Sequence, residues 1–347
     1  MTDSLNFLDA VAGLPEQLAA AHTAASIVPK DALPKAESIR NIVVLGMGGS
    51  GISGDVVSAA FNDEVPVPIS VLKQIRTPAF VGPDTLAFAM SYSGGTEETV
   101  SMARSAVEKG ARLVAVSCGG ELQALAGESG GLHIACPTGY LPRAAIGALV
   151  APLCAVLFRI GLAPGAHAML THAQAQLARR RDQCCPQMEG ATNPARELAR
   201  QIGRTIPLIY GGGAIGAVAA YRWKCDVNEN AKAPAFSNAY PELDHNEICS
   251  WGQHGDVTRQ LLTLVELRHG FEHARLRLRF DATREIIDEC VHQVLSVEAE
   301  GEGRLAQLLD LMYVGDWTSC YLALQNDVDP GPIDAIFALK ARMAETP

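Results

Sequence analysis

No CxxC spacing occurs among the nine cysteines. The one close pair, Cys184-Cys185, is adjacent in sequence, a spacing unsuited to an ordinary structural disulfide. Reduced thiols in a cytoplasm are the expectation. The nine histidines carry no metal signature either. His269 and His273 stand four apart, but Gly270 breaks the helix that would align them, and no metal is expected. Basic residues are in deficit, 28 Lys and Arg against 38 Asp and Glu, and the formal charge of -10 argues against a nucleic-acid surface. No run is suited to a membrane: the most apolar, Ala144–Leu162, contains Pro152 and Arg159 and reads as a buried helix. The beginning, MTDSLNFLDA, lacks a basic region followed by an apolar core, so no signal peptide is expected. What remains is a soluble globular chain, 48% hydrophobic and 19% charged, whose 347 residues suffice for two domains with a substantial core.

Punctuation along the chain points to an α/β architecture. Residues 1–39 read as a helical lead-in, with Leu18, Ala19, His22 and Ala25 in a broad apolar pattern closed by Pro29 and Pro34. Short apolar runs then alternate with helical patterns: strands at Asn41–Leu45, Pro66–Leu72, Thr85–Met90 and Ala111–Ser117, and a helix at Thr99–Lys109. That alternation predicts a parallel sheet with helices on both faces. The middle of the chain is helical and connective, and its Arg179–Cys185 run reads as a solvated helix end. After it the pattern begins again with Pro207–Tyr210, a glycine-rich turn and a helix. Leu261–Leu267 and Gln293–Glu298 are expected strands and Leu305–Leu324 a long helix. Glycines at 46, 48 and 51 and at 211, 213 and 216 share one spacing, so the halves read as divergent copies of one doubly wound domain.

Those glycine triplets match G-x-G-x-x-G, a weak signal alone. A dinucleotide site also wants an acidic residue after the second strand, where this chain has Leu72-Lys73-Gln74. Lys73 and Arg76 suit a 2′-phosphate, which keeps an NADP-dependent oxidoreductase open. A plain tight turn is the bland reading, and a loop that helps Ser50 enclose an anion is the third. The stretch Ser91–Thr99 is more specific. Ser91, Ser93 and Thr96 converge with two glycines on a helix start, where free N–H groups and the helix dipole favour an anion. Simple capping is the alternative, but a cap needs one hydroxyl. The lack of a lysine there favours a phosphate monoester over a nucleotide triphosphate.

A third polar stretch, Asp226–Glu247, holds Asn228-Glu229-Asn230 with Lys232, then Asp244-His245-Asn246-Glu247. The preceding helix carries an apolar stripe, Ile215, Val218, Ala219 and Trp223. Continued at ~100° per residue, it brings Asp226 and Glu229 within about 40° of the stripe. Inward carboxylates are paired or used, and use is the expectation here. Glu229 lies near the helix end that Pro234 enforces. The C-terminal dipole and desolvation there both disfavour the ionised carboxylate, which is what a general base near neutral pH requires. An ion pair with Lys232 is the structural alternative. His245 is suited to proton transfer, with Asp244, Asn246 and Glu247 available to fix its tautomer. Arg143, judged by its own surroundings, is a surface arginine in a turn. Lys340 sits on an amphipathic last helix with Ile333, Ile336 and Phe337.

In order, GMGGSG (Gly46–Gly51), SYSGGTEET (Ser91–Thr99), PRAA (Pro142–Ala145), NENAK (Asn228–Lys232), DHNE (Asp244–Glu247) and the ending GDWTSCYLALQNDVDPGPIDAIFALK (Gly315–Lys340) resemble the bifunctional phosphoglucose/phosphomannose isomerases. These are sugar-isomerase (SIS) proteins with two α/β domains per chain. The resemblance implies two doubly wound, flavodoxin-like parallel-sheet domains in tandem. A first SIS domain at 40–160 would bind phosphate, 161–190 would connect, and a second SIS domain at 191–347 would carry the catalytic Glu and His. It also implies an aldose–ketose isomerase acting on glucose 6-phosphate or mannose 6-phosphate and fructose 6-phosphate, without cofactor. Glu229 would be the base, His245 would assist ring opening, Arg143 would stabilise the enediolate, and Lys340 would lie at the active site. Gly49, Ser50, Ser91, Ser93 and Thr96 would hold the phosphate. In the family the histidine comes from the neighbouring subunit, implying a homodimer. Gly95 departs from the pattern, since the family more often has Asn there. A non-catalytic sugar-phosphate sensor is the alternative from another functional class.

Overall fold

Short apolar runs flanked by helices become parallel strands in the computed structural model, which describes residues 2–345. The chain divides into two units. One is Gly13–Ala178 with Glu300–Asp310; the other is Arg179–Ala299 with the flanking stretches Met1–Ala12 and Leu311–Pro347.

The first unit holds five parallel strands, β1 (Asn41–Gly46), β2 (Ile69–Leu72), β3 (Thr85–Met90), β4 (Arg112–Ser117) and β5 (Leu132–Ala135), in the order β2-β1-β3-β4-β5. This is the flavodoxin-type order, in which ligands bind beyond the carboxyl ends where the order reverses. Central β3 is buried at all six positions, as expected when helices cover both faces. Helix Ile146–Ile160 is buried from Ile146 to Leu157 despite Pro152 within it. Pro152 cannot donate to the Ala148 carbonyl, and the Cys136 thiol bonds that oxygen instead at 3.5 Å. The lead-in contributes helix Leu14–Ser26. Its buried Gln17 accepts from Ala148 N–H at 3.0 Å and donates to the Ala144 carbonyl at 2.8 Å.

In the second unit, β6 (Ile206–Gly212), β7 (Phe236–Tyr240), β8 (Leu262–Arg268) and β9 (Gln293–Glu298) form a four-stranded parallel sheet, β7-β6-β8-β9. The order repeats that of the first sheet without a fifth strand. The glycine turns repeat too. Gly48 and Gly213 both have positive φ, +51° and +59°. A Cβ on Gly51 would lie 2.6 Å from the Gly46 carbonyl oxygen, and one on Gly211 only 1.9 Å from that of Gly216. The tight-turn reading of the glycines therefore holds, and Lys73 is engaged by Asp55. Helix Gly213–Asn230 buries Ile215, Ala219 and Trp223 as its stripe requires. Trp223 donates to the Leu311 carbonyl at 2.7 Å.

Two strands escape the periodicity. β5 and β7 are edge strands, only partly covered, and each carries polar residues that break an apolar run. The Arg179–Cys185 run is not a solvated helix end: Arg180 and Cys184 are buried. No helix among the described residues is long and apolar enough to cross a membrane.

Candidate active site

Two helices of the first unit begin at carboxyl ends of strands flanking the point where the sheet order reverses. Gly48–Phe61 follows β1 and Glu97–Glu108 follows β3. Gly49 and Ser50 lie in the first turn of one, and Thr96 is the N-cap residue of the other. Thr96 makes no side-chain cap bond. Its hydroxyl meets Ser91 Oγ at 2.8 Å, and Ser93 Oγ lies 3.4 Å from Ser91 Oγ. Ser91 is buried and also accepts from Gly94 N–H at 3.1 Å, whereas Ser93 is exposed. Ser50 Oγ accepts from Tyr92 N–H at 3.4 Å, which brings the two loops together. Hydroxyls gathered at helix starts, one of them declining to cap, are an arrangement suited to a small oxyanion.

Arg143 belongs to the same unit, in the turn Pro142–Ala144 after β5. The structure corrects its reading as a surface residue: it is only 4% exposed.

Glu229 is half-buried in the last turn of helix Gly213–Asn230, between two anchored neighbours. Asn228 donates to the Ala233 carbonyl at 2.9 Å and Asn230 to Ser319 Oγ at 2.9 Å. Both flanking amides are turned to the scaffold. Glu229 lines a cleft of about 480 Å³ with Asn228, Lys232 and the stretch from Val328 to Ile336. The Lys232 ammonium donates to the carbonyls of Asn230, Asp329 and Pro330, at 3.2, 2.7 and 3.2 Å, and so holds the far wall.

Asp226 corrects the expectation of use, because it is paired. It is buried, its Oδ2 2.8 Å from Arg222 Nε, and Arg222 Nη2 reaches Asp316 Oδ1 at 2.8 Å. The Arg222–Asp226 contact lacks hydrogen-bond alignment and acts as a charge pair. Burial pushes the Asp226 carboxyl well above its ordinary range; Arg222 pulls it down and Asp316 pushes it further up. The signal for this pairing was present in sequence, an arginine four residues before the aspartate.

The His245 imidazole is exposed and has no hydrogen-bond partner among the described residues. Its neighbours do not fix its tautomer; they hold its turn. Asp244 accepts from Arg279 at 2.7 Å and Thr283 at 3.0 Å, and Asn246 donates to Glu242 at 3.0 Å. Glu247 accepts from Asn238 at 2.6 Å and from the Tyr210 hydroxyl. Lys340 is exposed on helix Asp334–Ala344, whose Ile336, Phe337, Leu339 and Met343 are exposed as well. Neither His245 nor Lys340 is among the residues lining the Glu229 cleft. Among the described residues, no group of three or more His, Cys, Asp or Glu side chains is placed to hold a metal ion.

Residues 191–343 match the bacterial phospho-glucose isomerase C-terminal SIS domain. The bifunctional phosphoglucose/phosphomannose isomerase of Caldicellulosiruptor bescii is 34% identical over 97% of this chain and 98% of its own length. That of Aquifex aeolicus is 31% identical over 91% and 93%. Among solved structures, the C-terminal domain of glucosamine-fructose-6-phosphate aminotransferase from Francisella tularensis superposes with a TM-score of 0.69. It covers 94% of this chain and 97% of its own at 15% identity, a likeness of fold.

Proposed function

The chain belongs to the bifunctional phosphoglucose/phosphomannose isomerase family, and from that premise we propose that it interconverts glucose 6-phosphate and mannose 6-phosphate with fructose 6-phosphate. One proton moves between C2 and C1 of the opened sugar. The phosphate seats on Gly49, Ser50, Ser91, Ser93 and Thr96. His245 passes a proton to the ring oxygen during opening. The Glu229 carboxylate takes the C2 proton of the aldose and returns it to C1, while the hydroxyl proton passes from O2 to O1. Charge on the intervening enediolate faces the Arg143 guanidinium. Reprotonation at C2 from the other side, after rotation about C2–C3, gives the mannose epimer. Lys340, on the last helix, is assigned to the active site in this reading.

The observation that carries this reading is the cradle: the Ser93 and Thr96 hydroxyls lie 3.4 and 2.8 Å from that of Ser91, at a helix start whose N-cap side chain does not cap. Glu229, on a cleft wall between two anchored amides, supports its assignment as base. His245 projects from a braced turn with no partner of its own among the described residues, which supports a homodimer in which it serves the neighbouring subunit. We place the enzyme in the cytoplasm. One domain, at 40–160, grips phosphate, and the other, at 191–347, supplies base and histidine.

Incubation with fructose 6-phosphate alone is expected to yield both aldoses. Glu229→Gln should lower turnover by ~100- to 10,000-fold with an unchanged circular dichroism spectrum. Turnover persisting in that variant would sink the base assignment.

A further inference from the structure

The Arg143 turn is reached through residues 137–141, which follow β5 and carry no strand or helix. Side chains of neighbouring loops make three polar contacts with that segment. The Tyr92 hydroxyl accepts from Tyr140 N–H at 2.9 Å and donates to the Pro137 carbonyl at 2.9 Å. The Cys118 thiol adds a long contact of 3.6 Å to the same carbonyl. Tyr92 thus makes both strong ties, one as acceptor and one as donor.

Its own place is fixed independently. Tyr92 lies between Ser91 and Ser93 of the phosphate cradle. Its N–H reaches Ser50 Oγ at 3.4 Å, and its carbonyl accepts from Cys118 N–H at 2.9 Å. Its ring is almost fully covered and packs at 6.4 Å from that of Tyr140. One residue therefore touches the loops after β1, β3, β4 and β5. Its backbone belongs to the phosphate cradle and its phenol to the approach of Arg143. Nothing in the proposed chemistry uses the phenol directly, and burial holds it well above the usual tyrosine range, so it stays a donor throughout any ordinary assay.

We propose that Tyr92 is a positioning residue, whose hydroxyl sets the Arg143 turn at a fixed distance from the bound phosphate. This rests on the isomerase reading and on the role of Arg143 within it. A guanidinium that must meet charge appearing only in the transition state gains its effect from being held in advance, and slack in its support lowers turnover more than binding. The hydroxyls that touch phosphate should behave oppositely, since they bind ground state and transition state alike.

The test is Tyr92→Phe, which keeps the ring and removes both strong ties. With fructose 6-phosphate as substrate, kcat is expected to fall about tenfold. KM, and competitive inhibition by inorganic phosphate, should stay within about twofold. Tyr92→Phe introduced into Arg143→Ala should lower kcat by less than about twofold further, because the group it positions has gone. A full tenfold loss in that background, a change confined to KM, or no change in kcat would each overturn the assignment. Should Tyr92→Phe fail to fold, Tyr140→Pro removes the Tyr140 N–H together with its ring and is read by the same split between kcat and KM. Undiminished turnover in Arg143→Ala alone would instead refute the role given to Arg143. Loss of all isomerase activity in the unaltered enzyme would refute the parent reading, so the three failures are distinguishable.

Discussion

Arg222 stands between two buried carboxylates, Asp226 and Asp316, about two turns before the proposed base on the same helix. Buried charges are tolerable only while balanced. Arg222→Met should therefore cost about 3–5 kcal/mol at neutral pH, measured by urea unfolding. The pH dependence follows from the direction of the Asp226 shift. Its carboxyl holds a proton more tightly folded than unfolded, where the ordinary value is 3.8. That contribution to stability is whole below 3.8 and is lost as pH rises through the folded value. Removing Arg222 raises the folded value further, so the variant's deficit should shrink on acidification toward about pH 4. A deficit independent of pH would contradict the charge-pair account. The two glycines of the proposed phosphate loop make a second contrast. Gly94 has φ +75°, and a Cβ there would lie 1.8 Å from the Gly119 carbonyl oxygen, whereas a Cβ on Gly95 meets nothing within 4 Å. Gly94→Ala should lose about 1–3 kcal/mol from backbone strain alone, with the clash added. Gly95→Asn, the residue expected there from the family resemblance, should leave the melting temperature unchanged. The departure at Gly95 is thus open to reversal without steric cost.

Among the elements, the helix Ile146–Ile160 is buried over most of its length and depends on a partner far away in sequence. Gln17 bonds to the Ala144 carbonyl and the Ala148 N–H and is itself buried. Gln17→Met keeps similar volume but strands both backbone groups, and should destabilise by about 1–3 kcal/mol for each group left unpaired. The denaturation midpoint should shift with no change in slope. Apolar runs at β1, β3 and β9 are legible in the sequence because those strands carry enough apolar residues to sit against a core. β5 and β7 are not, because His133, Ser237 and Asn238 interrupt their runs at positions that are only partly covered. β7 lies inside the polar Asp226–Glu247 stretch. That segment is therefore a helix end, an edge strand and a braced turn in succession.

At the scale of the whole molecule, the proposed division of catalysis between subunits is the claim most exposed to experiment. Glu229→Gln and His245→Ala chains, each inactive alone, should regain activity when mixed and allowed to exchange subunits. Hybrid dimers would then carry one intact site. No recovery despite confirmed exchange would count against shared sites. The exposed apolar residues of the last helix, Ile336, Phe337, Leu339 and Met343, are a further reason to expect a second chain, since helix faces of that kind are usually covered.

Sequence by itself determined the class of fold and the motifs, because strand periodicity, glycine spacing and clustered hydroxyls are local properties of the chain. It placed Glu229 near a helix end and the Ser91, Ser93 and Thr96 hydroxyls at a helix start. Only the tertiary structure decided what each side chain does there. Asp226 turned out paired through Arg222 to Asp316, 90 residues further on. Arg143 turned out buried, and the flanks of His245 serve the turn and leave the imidazole alone. Inwardness is encoded by spacing along one helix, whereas a partner is supplied by whatever element packs opposite. That is why the charged groups could be found in the sequence but their pairing could not.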